Sequence, residues 1–123
     1  MSDNIVVKGN WGTIEYAIKR NGKRPAEKFL GSLVKEDRSK LSHPLEKMAN
    51  EGIVRNPQQF RCLGDKIFEF KSGQVRLLCF QRGNSWILTH GFIKKQDKTR
   101  RKEIKKARAI MEEHLKVIAG KGR

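Results

Sequence analysis

Thr13-Ile14-Glu15-Tyr16-Ala17-Ile18 alternates polar and apolar side chains, the two-residue period of a strand with one buried face. Asn21-Gly22 follows as a turn, and Pro25 stands at the first position of a helix, where its missing N–H leaves no intrahelical bond unmade. Ala26, Phe29, Leu30, Leu33 and Val34 then fall on one helical stripe. A second helix carries Leu41, Leu45, Met48 and Ala49 and stops at Gly52, with Pro44 marking either its start near Ser42 or a kink. Ile5-Val6-Val7 reads as a short strand or an ordered tail.

The second half predicts a three-stranded meander. Lys66–Lys71 puts Phe68 and Phe70 on one face and Ile67, Glu69 and Lys71 on the other, and Ser72-Gly73 turns the chain into Val75–Phe80. That strand is nearly continuous in apolar residues, the pattern of a central strand. Gly83-Asn84 leads to Trp86–Ile93, in which His90 alternates with Leu88 and Phe92 and so shares their face. A last helix runs from Thr99 as N-cap to Ile118, with Ile104, Ala107, Met111, Leu115 and Ile118 as its apolar stripe. No repeat or low-complexity linker interrupts the chain. The order predicts one α+β domain over residues 1–123, with its core at about 12–118 and its helices on one face of the sheet.

Charge narrows the partners. Lys and Arg number 28 against 13 Asp and Glu, a net +15. A compact chain this basic repels itself unless an anionic partner offsets the charge, and nucleic acid is the default anion because neutralised phosphates release counterions. Membrane surface and acidic protein rank behind it. Between Lys94 and Arg108 lie nine basic residues opposed only by Asp97 and Glu103. Such a run is either a solvated helix face or a binding face. The N-terminus has no signal-peptide pattern, and no stretch approaches the roughly 20 apolar residues of a membrane span. A cytoplasmic chain with reduced Cys62 and Cys79 is the expectation.

Neither a catalytic triad motif, a P-loop nor a dinucleotide signature is present, and His43, His90 and His114 have no metal-ligand spacing. The sequence predicts no metal and no cofactor. What remains is a set of charges on strands. Arg76 interrupts an apolar strand, so it is paired or aimed at a ligand. Glu69 and Lys71 approach it across the hairpin, either as a structural Glu69–Arg76 ion pair or as the floor of a phosphate site. Lys94 and Lys95 end the last strand, where a scaffold can hold functional groups or leave them solvated. His90 is a core histidine or an acid–base group.

Several segments together resemble one family. Gly22-Lys23-Arg24-Pro25-Ala26-Glu27-Lys28-Phe29-Leu30 looks like its first-helix entry. Leu63-Gly64-Asp65-Lys66-Ile67-Phe68-Glu69-Phe70-Lys71 is similar to its L-x-x-x-L-W-E-L-R strand, and Val75-Arg76-Leu77-Leu78-Cys79-Phe80 to its Y-R-I-L-Y-F strand. Leu88-Thr89-His90-Gly91-Phe92-Ile93-Lys94-Lys95-Gln96-Asp97-Lys98-Thr99 resembles L-L-H-G-F-x-K-K-T-x-K-T, and Glu103-Ile104-Lys105-Lys106-Ala107 matches E-I-x-x-A. The family is the HigB-like, phage-derived branch of the RelE/ParE toxin superfamily, and the resemblance spans about residues 12 to 115.

The resemblance implies a RelE-like fold, a twisted antiparallel sheet packed with two N-terminal helices and a C-terminal helix. It also implies the toxin of a type II toxin–antitoxin system, an endoribonuclease that cuts mRNA on the ribosome without a metal. Its partners would be the ribosome with its mRNA and a cognate antitoxin, often a helix-turn-helix protein, with no membrane. By position Arg76 stabilises phosphate, Lys94 or Lys95 handles protons or phosphate, and Glu69 is a base or orients Arg76. Lys71 and His90 complete the catalytic candidates, and Lys98, Arg100, Arg101 and Lys105 are candidate RNA contacts. Three positions depart from the pattern: Lys71 replaces an arginine and cannot grip phosphate with two parallel bonds, Phe68 replaces Trp, and Arg100 replaces Pro. Two other readings stay open, a non-catalytic poison of DNA gyrase and a passive basic nucleic-acid binder. The aromatic content of 7% offers few platforms for stacking single-stranded bases, which counts against the last.

Overall fold

Val75–Arg82 forms the strand β5, and its first six side chains are all buried because helices cover both faces of the sheet. Leu77 and Cys79 point one way, Leu78 and Phe80 the other. The expectation of helices on a single face is therefore corrected: an apolar run at both parities of a strand requires a cover on each side. The computed structural model describes residues 4–95 and 100–121.

In chain order the elements are β1 (Ile5–Lys8), β2 (Thr13–Tyr16), α1 (Pro25–Ser32), α2 (Lys35–Glu51), β3 (Phe60–Gly64), β4 (Ile67–Ser72), β5, β6 (Ser85–Ile93) and α3 (Arg100–Lys121). The six strands form one sheet in the order β1-β2-β6-β5-β4-β3. All neighbours are antiparallel except β2 and β6, which run parallel. The helices α1 and α2 bury Ala26, Leu41, Leu45, Met48 and Ala49 against Ile14, Phe70, Leu77 and Leu88. On the opposite face, α3 buries Ala107 and Ile110 against Ile67, Leu78, Phe80 and Ile87.

Three local readings change. The strand β3 joins the expected meander and makes it four-stranded. It turns into β4 through Asp65 and Lys66, both with positive φ (53° and 67°), the two-residue hairpin form whose twist suits the flanking strands. The helix α2 begins at Lys35 and runs through Pro44, which is buried within it, so Pro44 neither starts nor ends the helix. In β6, Leu88 pairs with Cys79 and His90 with Leu78, so Thr89 is an extra residue in that strand. The bulge puts Leu88 on the α1–α2 side and turns His90 to the α3 side with Phe92, separating residues that strict alternation keeps together. Thr89 Oγ1 donates to the Leu78 carbonyl at 3.2 Å, which occupies the hydroxyl inside the irregularity.

Gly91 shows why this strand must lack a side chain at one point. A Cβ there would lie 2.2 Å from the Phe29 ring, so α1 can lie against β6 only over a bare backbone.

Candidate functional site

Strand register lines up two rows on the α3 side of the sheet. Phe92, Arg76 and Lys71 form one row across β6, β5 and β4; His90, Leu78, Glu69 and Arg61 form the next, reaching β3. Hydrophobic packing of α3 begins toward Leu78 and Phe80, which leaves the charged ends of both rows beside the Ser72–Val75 turn and the edge strand.

At the centre is Glu69, only 3% exposed. Arg61 Nε donates to its Oε2 at 2.5 Å, and Arg76 Nε stands 3.6 Å from its Oε1. Arg76, 6% exposed, also donates from Nη1 to the carbonyls of Gly73 (2.6 Å) and Val75 (3.1 Å). A carboxylate removed from water needs this compensation, and two guanidiniums supply it. The ion pair read from the sequence is present, with a second arginine attached. Arg76 contributes positive potential from beneath the surface while its guanidinium braces the turn.

Lys71 pairs with Arg76 in register and its Nζ lies 3.4 Å from the Pro57 carbonyl. Partial burial lowers its pKa, and the positive charges of Arg61, Arg76 and Lys94 push the same way against the opposing pull of Glu69. Lys94 follows β6 and is fastened to the other end of the same turn, its N–H donating to Gln74 O at 2.7 Å. The half-buried Lys94 thus belongs to the cluster, whereas Lys95 is exposed at its margin.

His90 is turned away from this open edge. Its Nε2 lies 2.9 Å from Glu103 Oε1 on α3, Nδ1 lies 3.3 Å from Thr89 Oγ1, and the ring stacks on Phe92. Burial lowers its pKa; the hydrogen bond to Glu103 opposes this, and Lys106 adds to it. Burial thus disfavours the charged imidazole, and the ring is held between Glu103 and Thr89, a geometry that fastens α3 to the sheet. Of the RNA-contact candidates, Arg101 and Lys105 are exposed one turn apart on α3. Lys98 and Thr99, with the side chain of Arg100, lie outside the described residues. Arg108 reaches Asp65 (3.7 Å) and Glu112 (3.9 Å).

The structure therefore brings together Glu69, Lys71, Arg76 and Lys94, leaves Lys95 and the α3 cations on the surrounding surface, and gives His90 to the helix–sheet junction. It adds Arg61, which sequence reasoning passed over. The signal for it is the short alternation Phe60-Arg61-Cys62-Leu63 ahead of the Gly64-Asp65 turn, which places a cation directly opposite Glu69. Such a cluster can bind and polarise a phosphodiester. Among the described residues no group of three or more His, Cys, Asp or Glu could hold a metal, and no helix is long and apolar enough to cross a membrane.

A search of curated proteins finds no match to this chain. A family model, that of the phage-derived Gp49-like proteins (DUF891), matches residues 28–112, from α1 through most of α3, and so includes every member of the charged cluster. With that match over more than half its length, the chain belongs to the phage-derived Gp49-like family, part of the RelE/HigB-type toxin superfamily and commonly the toxin of a toxin–antitoxin pair.

Proposed function

We propose that this protein is a type II toxin that cleaves mRNA on the ribosome without a metal cofactor. The observation that carries the reading is the gathering of Lys71, Arg76 and Lys94 about the buried carboxylate of Glu69, at one end of a strongly basic molecule. Cleavage begins when the 2′-hydroxyl of the target nucleotide loses its proton and attacks the neighbouring phosphorus. A pentacoordinate phosphorane follows, the bond to the 5′-oxygen breaks, and that oxygen takes up a proton. Fixed cations stabilise the dianionic intermediate outright. Lys71, whose pKa is lowered by partial burial and by the cations around it, gives up a proton more readily than an ordinary lysine and is the group suited to move one, and Lys94 or Lys95 shares the phosphate or the leaving group. Exposed Arg101 and Lys105 on α3 extend the positive surface along the RNA. A cognate antitoxin covers this surface or blocks entry to the ribosome.

The test is primer extension on a translated message. Wild-type protein creates new 5′ ends, and EDTA leaves the chemical step intact while the ribosomes stay assembled. Lys71→Ala, Lys94→Ala and Arg76→Ala each cost about 100- to 1000-fold, the usual loss on removing one electrostatic stabiliser of a transition state. Lys116→Ala, near the far end of α3, changes little. Circular dichroism confirms that each variant is folded. Absence of new 5′ ends with wild-type protein, or undiminished cutting by folded Lys71→Ala and Arg76→Ala, overturns the reading; binding to RNA without cleavage would identify a passive binder.

A further inference from the structure

We infer that Arg61, on the edge strand β3, is the side chain that grips an RNA phosphodiester, seated on Glu69 and working beside Lys71. The inference rests on the reading of the cluster as an RNA site and deepens it by naming the contact group.

Three observations carry it. First, a two-pronged grip on phosphate needs a guanidinium, because an ammonium acts as a point charge. The position nearest the open edge on β4 is a lysine, Lys71, so the fork must come from a neighbouring arginine. Second, the two arginines on Glu69 are differently placed. Arg76 is buried, and its Nη1 is spent on the carbonyls of Gly73 and Val75. The Arg61 side chain keeps 31% of its surface in solvent, and its bond to Glu69 is made through Nε. That bond anchors the side of the guanidinium and leaves the Nη1/Nη2 end as a fixed fork. Third, register makes Arg61 and Lys71 diagonal neighbours on one face, since Arg61 pairs with Glu69 and the Lys71 N–H donates to Gln59 O just before β3. Long side chains at diagonal positions reach a common ligand.

Glu69 then has a defined task. It fixes the Arg61 side chain before RNA arrives, so the ordering of a long flexible arginine is complete before binding. Because Arg76 neutralises the same carboxylate from the other side, the triad still presents one net positive charge to the ligand. The site lies on a free edge of the sheet, so a single strand of RNA can pass it without threading a cavity.

The test uses the full chain and a short fluorescein-labelled oligouridylate, with affinity read by fluorescence anisotropy over a series of salt concentrations. Arg61→Gln is expected to weaken binding about tenfold, the size of a lost charge-assisted hydrogen-bond pair. It should also reduce the slope of log affinity against log salt by about 0.7, the contribution of one phosphate contact on single-stranded nucleic acid. Arg61→Lys keeps the charge, and with it the slope and the counter-charge for Glu69, but loses the fork; its affinity should fall several-fold at unchanged slope. Arg38→Gln, exposed on α2, should change neither quantity. Thermal melts confirm that the variants fold; if Arg61→Gln does not, the Arg61→Lys result decides by itself. Unchanged affinity in Arg61→Lys and an unchanged slope in folded Arg61→Gln overturn the inference, as does an absence of oligouridylate binding by wild-type protein. Arg61-dependent binding without cleavage on ribosomes leaves the inference standing and removes the proposed activity; cleavage that ignores Arg61 does the reverse.

Discussion

His90 Nε2 and Glu103 Oε1 lie 2.9 Å apart, and this single contact joins β6 to the first turn of α3. It links two of the segments by which the sequence resembles toxins, the stretch around His90-Gly91-Phe92 and the Glu103-Ile104 helix. Burial lowers the His90 pKa from its ordinary 6.5, with Lys106 adding to the effect and Glu103 resisting it. The unfolded chain therefore takes up this proton at a higher pH than the folded one. Stability is complete above pH 6.5 and declines as pH falls below it, levelling off beneath the folded value. Urea titrations across this window should show the decline in wild-type protein and a flatter profile in His90→Gln. Parallel profiles for the two proteins would show that His90 is not the responsible group.

Glu69 is the only carboxylate facing both Arg61 and Arg76 among the described residues, so its charge cannot be removed cheaply. Glu69→Gln keeps the shape and leaves two cations without their shared anion. Breaking one side of a buried charge cluster costs about 3 kcal/mol. The denaturation midpoint should fall accordingly, and a loss below about 1 kcal/mol, the scale of an exposed pair, would mean that the carboxylate is effectively solvated.

Lys71 should report on itself through alkaline titration of RNA binding. Partial burial, with Arg61, Arg76 and Lys94 nearby, lowers its pKa below the ordinary 10.5, so its charge is lost at a lower pH than that of a free lysine. Affinity for oligouridylate should begin to fall earlier, on raising pH, in wild-type protein than in Lys71→Arg, whose guanidinium does not titrate there. Coincident curves would count against Lys71 as a contact.

Gly91→Ala drives a methyl group into the Phe29 ring and should destabilise by about 1–3 kcal/mol, the range for overpacking. Trimming the ring with Phe29→Leu should restore part of the loss when the two changes are combined. Strict additivity of the two changes in denaturant unfolding would show that α1 and β6 do not meet there.

Much of the fold is written in local patterning. The alternation around Phe68, Glu69 and Phe70 predicts which face each occupies, and the Ala26–Phe29–Leu30 and Ile104–Ala107–Met111 stripes predict α1 and α3. The features that escape depend on long-range partners or on single-residue irregularities. The bulge at Thr89 has no compositional mark, yet it moves His90 to the other side of the sheet. Pro44 suggests a boundary within α2, but the segment from Lys35 onward continues through it because Leu41, Leu45 and Met48 are all buried against the sheet. Arg61 has no visible role until β3 is laid against β4 and Glu69 stands opposite. The cluster of Glu69, Lys71 and Arg76 is legible because one tight turn brings those residues together; the place of Arg61 in it is not, because the short alternation around Arg61 marks a strand without naming the strand it pairs with.

The parallel pairing of β2 with β6 has a temporal consequence. Thr13–Tyr16 meets Ser85–Leu88 only after α1, α2 and three further strands have been made, and β6 sits in the middle of the sheet. Pairings of such separation close slowly, since the chain loses loop entropy before the contact rewards it. The face that carries Leu78 and Phe80 also waits for α3, the last helix of the chain. The apolar layer over Leu78 and Phe80 is therefore closed only once α3 has docked on the sheet. Folding of the sheet is thus paced by its most distant strand pairing, that of β2 with β6.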